Sequence, residues 1–187
     1  MVVIFVLRLI DAHNVNYQLV KEYYDAFDDK RELNSYALRR VKDGADEYFR
    51  CLKIYGDHSY YLINDEQPDY IIGFGSIEDS DILNYHKDYL NVGNIGYAIR
   101  PNERNKGYGT YLLKLLLKKC EESGMSEVCV SCNKDNIASK QVILHNKGKF
   151  EKEFFDDFEG RGLKFWIKLR PKIIARVNRL IKKGKSR

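Results

Sequence analysis

A chain of 187 residues that is 44% apolar and 32% charged has room for one good core and the composition of an ordinary globular protein. Three prolines leave no room for a long disordered linker, and four cysteines are too few for the disulfide framework of a small secreted domain. The net charge of +5 is uneven: Arg170 to Arg187 hold eight basic residues and no acids, so residues 1–169 are mildly acidic.

The opening "MVVIFVLRLI" is apolar but lacks a basic leader, a cleavage site and the roughly 18 to 20 residues needed to span a bilayer. It predicts a buried first strand in a cytoplasmic protein with reduced thiols. Val15, Leu19, Tyr23 and Phe27 then recur at helical spacing, and "ELNSYALRRVKDGADEYF" keeps the same period, so two helices follow the strand. "SYYLIN" and "DYIIGFGSI", joined by the turn-forming "DEQPD", predict an antiparallel hairpin. Residues 80–91 read as a polar-aromatic insertion before the strand "VGNIGYAIR".

A helix over residues 110–123 carries Leu112, Leu113, Leu116, Leu117 and Cys120 on one side and stops at Gly124. In the next strand, "SEVCVSC", the C-x-x-C pair falls on opposite faces, so no metal site is predicted. "NIASKQVILHNKG" predicts a short helix capped by Asn136 and ended near Gly148, and "KFEKEFF" and "GLKFWIKL" close the body as strands. Strand 92–99, helix and strand 126–131 form a right-handed crossover. The expected class is α+β, with a mixed, mostly antiparallel sheet whose central pair is parallel and flanked by helices. The domain spans residues 1–169, and residues 170–187 form a basic tail. In the tail Ile173, Ile174, Val177, Leu180 and Ile181 make one apolar stripe. That stripe predicts docking on the body or on a second subunit in a homodimer; a membrane surface or nucleic acid is the alternative partner.

Chemistry concentrates in "RNKGYGT", Arg104 to Thr110, directly ahead of the long helix. The first turn of a helix offers backbone N–H groups without intrahelical partners and the positive end of the helix dipole, so a glycine-lined entry suits a phosphate. The spacing is neither a P-loop nor a dinucleotide fingerprint, whose third glycine would fall at Leu112.

"RNKGYGT" resembles the R/Q-x-x-G-x-G/A signature of the GNAT acetyltransferases. "NIAS" is similar to that family's N-x-A-S helix, and Asn146, Lys147 and Gly148 stand where it has an N-G-G-like turn. The resemblance covers residues 70–169 and implies a GNAT-like acyl-CoA N-acyltransferase fold. It also implies an enzyme that uses acetyl-CoA as co-substrate, without a metal, to acetylate a primary amine by direct attack. By the same resemblance the cofactor is held by Arg104, Asn105, Lys106, Gly107, Tyr108, Gly109 and Thr110, by the backbone of Ile99, and by Asn136 and Ser139. Helix capping is the other reading of the last two.

Where many relatives carry a glutamate base this sequence has Asn94, and where they carry a tyrosine acid it has Leu144 and His145. His145 is the ionisable replacement, with carbonyl capping as its other reading; Tyr97 is either core packing or a donor to the thiolate. The two departures keep a rival open, a non-catalytic acyl-CoA-binding or nucleic-acid-associated module. Glu78, Asp79, Asp81 and Asp88 cluster in sequence, which favours a cationic small-molecule or peptide amine unless they form only a solvated loop.

Overall fold

The computed structural model describes residues 6–33, 35, 37–55, 58–78, 93–156 and 160–172. The chain divides into two compact units, Met1–Ser76 with Gly96–Leu112, and Ile77–Ile95 with Leu113–Arg187. The acidic insertion positions Asp79, Asp81 and Asp88 and the apolar stripe from Ile173 to Ile181 lie outside the described residues.

The first unit holds β1 (Leu7–Asp11), α1 (Tyr17–Asp25), α2 (Ala45–Tyr55), β2 (Ser59–Asn64) and most of β3 (Gln67–Ile77) and β4 (Ile95–Ile99). The strands form a sheet in the order β1-β2-β3-β4, with β1-β2 and β2-β3 antiparallel. Helix α1 starts at Asn16, whose side chain accepts from the Gln18 N–H and so satisfies one of the donors that a helix start leaves open. The second predicted helix is split. Residues Leu38–Asp43 form a 3-10 turn and α2 begins only at Ala45, because Gly44 between them has φ +104°, a conformation no helix interior contains.

The core of this unit is aromatic. Tyr23, Phe27, Tyr48, Tyr61 and Phe74 are almost wholly buried, with edge-on or tilted ring contacts at 5.1 Å (Tyr23–Phe27), 5.9 Å (Tyr23–Tyr61) and 5.3 Å (Tyr61–Phe74). Burying a phenol requires a partner for its hydroxyl. Tyr48 and Tyr61 use each other at 3.0 Å, Tyr17 donates to the Val41 carbonyl at 2.6 Å, and Tyr23 donates to the Ala98 carbonyl at 2.9 Å. Desolvation pushes the Tyr48 phenol up to about 12, and pushes those of Tyr61 and Tyr23 well above the usual tyrosine range.

The second unit contains most of α3 (Tyr108–Glu122), then β5 (Glu127–Asn133), α4 (Ile137–His145), β6 (Lys149–Asp156) and β7 (Gly160–Lys168). Leu112, Leu113, Leu116, Leu117 and Cys120 of α3 are all buried, as their spacing predicts. The helix ends in a Schellman arrangement: Gly124 is left-handed at φ +85°, and the Met125 N–H bonds the Cys120 carbonyl at 3.0 Å. The sheet order is β5-β7-β6, antiparallel throughout, with Cys129 opposite Trp166 and Phe150 opposite Phe165. Val128, Val130, Leu163, Phe165 and Ile167 are buried along β5 and β7. The Phe154 ring occupies the space a side chain at Gly162 would need. The indole of Trp166 donates to Glu151 at 2.6 Å, and the Lys164 ammonium stands 5.3 Å from its ring centre.

The central parallel pair predicted for residues 92–99 and 126–131 is not among the described pairings. β4 ends one sheet and β5 begins the other, and the bridge between Gly93 and Val130 is antiparallel. Cys129 is buried and Cys132 half-buried, and neither is in a disulfide. Burial pushes the Cys129 thiol up to about 11. Among the described residues no group of three or more His, Cys, Asp or Glu is placed to hold a metal, and no helix is long and apolar enough to cross a membrane.

Candidate active site

Strand β4 is fixed against β3 by bonds at both ends: the Arg100 N–H to the Ile72 carbonyl at 2.9 Å, and the Glu78 N–H to the Asn94 carbonyl at 2.7 Å. Both bonds fit one antiparallel register. Alternation along the strand then turns the backbone groups of Gly96 and Ala98 toward β3 and those of Tyr97 and Ile99 toward the other edge. The Tyr23 hydroxyl donates to the Ala98 carbonyl, and the backbone of Phe74, opposite Ala98, is hydrogen-bonded to that same hydroxyl. Past the strand, Arg100 reaches the carbonyls of Ile71 (3.3 Å) and Glu22 (3.1 Å) and lies 4.4 Å from the Tyr70 ring centre.

Residues Pro101–Glu103 make a 3-10 turn, and the chain then enters α3 through two left-handed residues, Asn105 at φ +62° and Gly107 at φ +83°. Asparagine tolerates that conformation and glycine has no side chain to oppose it, so "RNKGYG" supplies suitable residue types at both positions. Nothing lies within 4 Å of where a Cβ on Gly107 would stand, so the glycine answers to the backbone angle and not to crowding. The first bond of the α3 ladder runs from the Tyr111 N–H to the Gly107 carbonyl at 3.1 Å. The amides of Gly107, Tyr108 and Gly109 therefore lie ahead of that ladder, at the positive end of the helix. Residues 104–107 are exposed, and Tyr108, Gly109 and Thr110 half-buried.

The charges of the turn are already matched. Arg104 pairs with Glu32, donates from Nε to the Ile99 carbonyl at 3.2 Å, and stands 5.8 Å from the centre of the Phe27 ring. Lys106 pairs with Glu103 at 3.0 Å, a bond that raises the lysine pKa, and Glu103 also accepts from the Tyr70 hydroxyl at 3.2 Å. Attraction for an anion is left chiefly to the backbone amides and the helix dipole.

Tyr97 and Ile99 are half-buried on β4. Asn136, Ser139 and His145 belong to the second unit, where Asn136 caps α4 by accepting the Ser139 N–H at 2.9 Å, and the Ser139 hydroxyl is bonded to Cys132. The His145 ring is exposed at the last residue of α4, with Nδ1 2.7 Å from the Gln141 carbonyl. The following turn keeps the shape of an N-G-G-like end with a lysine in it. Lys147 is left-handed at φ +66°, the Gly148 N–H closes on the Ile143 carbonyl at 2.9 Å, and a side chain at 148 would collide with Ile143.

Asn94 has a part that the sequence did not disclose. It is 4% exposed and bonded on every side: its N–H donates to the Cys129 carbonyl (2.7 Å), its Oδ1 accepts the Cys129 N–H (2.8 Å), and its Nδ2 donates to the Glu78 carbonyl (3.2 Å). The residue that stands where a glutamate base was expected is thus a clasp between β5 and the end of β3. Glu78 itself keeps an exposed flank, but desolvation of its carboxyl raises the pKa.

The sequence matches the acetyltransferase (GNAT) domain over residues 12–149. No curated protein matches it. Among solved structures it is similar to an acetyltransferase (GNAT family) from Bacillus anthracis, at 17% identity and a TM-score of 0.59, covering 88% of this chain and 98% of that one. It is likewise similar to YncA from Salmonella typhimurium, determined with its cofactor acetyl-CoA (11% identity, TM-score 0.59, 89% and 96% covered). A third likeness is to a ribosomal L7/L12 alpha-N-protein acetyltransferase in complex with coenzyme A (12% identity, TM-score 0.60, 87% and 94% covered). At these identities the likeness is one of fold.

Proposed function

The chain belongs to the GNAT acetyltransferase family, and we propose that it transfers the acetyl group of acetyl-CoA to a primary amine, on a small molecule or a peptide, by direct attack. The observation that carries the reading is the doubly left-handed turn at Asn105 and Gly107, set between the end of β4 and the mouth of α3. Two neighbours of the same fold are bound to acetyl-CoA or coenzyme A, and the one that acts on a ribosomal protein supports a peptide amine among the acceptors.

In this reading the backbone amides from Arg104 to Thr110 hold the diphosphate, and Ile99 pairs with the pantetheine arm. Asn136 and Ser139, which the family resemblance adds to the cofactor-binding set, are joined at the start of α4 by the cap that Asn136 makes to the Ser139 N–H. When bound, acetyl-CoA supplies the activated acetyl group and a thiolate leaving group. The acceptor must arrive as a neutral amine, although an alkyl ammonium has a pKa near ~10. Asn94 contributes no base, since its amide is committed to Cys129 and Glu78. Tyr97, half-buried on β4, is in this reading the donor to the departing thiolate. His145, whose Nδ1 is held by Gln141, has Nε2 left for proton exchange.

A panel of small amines, polyamines and peptides, assayed for release of free CoA, tests activity and acceptor class together. The rate with the best acceptor is expected to rise with pH toward that acceptor's own pKa, and Tyr97→Phe to lower kcat. A bell-shaped kcat/KM profile abolished by His145→Ala would move the proton transfer to His145. Release no faster than thioester hydrolysis with every acceptor would defeat the reading.

A further inference from the structure

The ion pair between Arg104 and Glu32 joins residues 72 positions apart, and the acid is presented by an anchored segment. The short Lys30–Glu32 turn is capped by Asp29, whose carboxylate accepts the Arg31 N–H at 3.0 Å. Lys30 is bonded to the Tyr24 carbonyl at 2.6 Å and stands 4.4 Å from the Tyr24 ring centre, and Leu33 on the other side is fully buried. Arg104 is oriented as firmly, by the Ile99 carbonyl and the Phe27 ring. The side chains of the pair are 42% and 43% exposed, so a second anion can reach the guanidinium.

We propose that Glu32 sets the affinity of the turn for a diphosphate: it occupies Arg104 in the free protein and is displaced by the diphosphate of the incoming cofactor. The proposal rests on the acyltransferase reading above. An exposed carboxylate–guanidinium pair is weak, whereas a diphosphate brings more charge and more acceptor oxygens to the same fork, so the exchange runs toward the ligand. Until the exchange occurs, a fixed negative charge beside the turn opposes every approaching anion. Glu32 is therefore a positioning residue that acts through Arg104, and it lowers affinity for a ligand that brings the anionic diphosphate but not for a neutral one such as pantetheine.

Calorimetry on the full chain with coenzyme A and with pantetheine, which lacks the diphosphate, tests this in the wild type, Glu32→Gln, Arg104→Gln and the double variant. Glu32→Gln is expected to bind coenzyme A about two- to fivefold more tightly, the range an exposed pair supplies. Its affinity for pantetheine and its melting temperature should not change, and the gain should vanish in the Arg104→Gln background. Unchanged or weaker binding of coenzyme A by Glu32→Gln would overturn the proposal. Equal tightening for pantetheine, or a gain that survives in Arg104→Gln, would do the same by showing an effect that does not pass through the pair. A wild type that binds no coenzyme A would instead overturn the acyltransferase reading on which the proposal stands.

Discussion

Replacing Tyr23 by phenylalanine removes one oxygen from the centre of the aromatic core and leaves the ring where it is. The ring keeps its contacts with Phe27 at 5.1 Å and Tyr61 at 5.9 Å, so no cavity of consequence opens. The loss falls on the Ala98 carbonyl, which accepts that hydroxyl at 2.9 Å in a buried setting. A buried acceptor deprived of its donor costs about 1–3 kcal/mol, and Tm should fall by about 2–4 °C for each kcal/mol in a chain of this size. Urea unfolding followed by far-UV circular dichroism, with the slopes checked for equality, measures the loss. The phenol also predicts a pH dependence. Its folded pKa is raised by burial, so the folded state keeps the proton above about pH 10 while the unfolded state releases it. The stability this contributes is fully present below pH 10 and is lost as pH rises toward the folded pKa; Tyr23→Phe should shallow that alkaline decline by one proton's worth of slope. A variant within about 0.3 kcal/mol of wild type, or with an unaltered alkaline slope, would refute both the bond and its burial.

Asn94→Ala removes two buried side-chain bonds at once and is expected to cost about 2–4 kcal/mol, with faster hydrogen exchange at the Cys129 amide; wild-type stability would show that Asn94 is not a clasp. Gly107→Ala should cost about 1–2 kcal/mol, the penalty of a left-handed L-residue, and leave the protein folded because space for a Cβ is open. Gly107→Val, branched at Cβ, should weaken coenzyme A binding about tenfold or more by calorimetry; unchanged affinity in the folded variant would remove the turn from the site.

What could be read from the sequence was local. The Gly124 stop, the Asn136 cap, the buried stripe of α3 and the glycine turn each depend on neighbours within about five positions, where residue type and spacing carry the geometry. The same locality explains the error at Gly44: two helical periods ran on in phase, and a glycine inside them does not announce whether its φ is negative or positive. The bonds that tune the site are long-range. Asn94 finds Cys129 across 35 positions, Arg104 finds Glu32 across 72, and Tyr23 finds Ala98 across 75. An asparagine at a glutamate position read as a missing base because its replacement partners were backbone groups, which leave no trace in residue identity. Lys147 shows the reverse case, in which the left-handed shape persists although the residue that usually permits it is absent.

The chain has one tryptophan, and Trp166 lies in the second unit with its indole bonded to Glu151. Its fluorescence therefore speaks for that unit alone. Among the described residues, the phenols held out of water, Tyr23, Tyr48 and Tyr61, lie in the first unit, and their ultraviolet absorbance shifts when they ionise or meet solvent. Nature has thus labelled the two halves with different chromophores. Emission and absorbance recorded along one denaturation curve separate their melting without a single added probe, and coincident curves would mean that the halves come apart together.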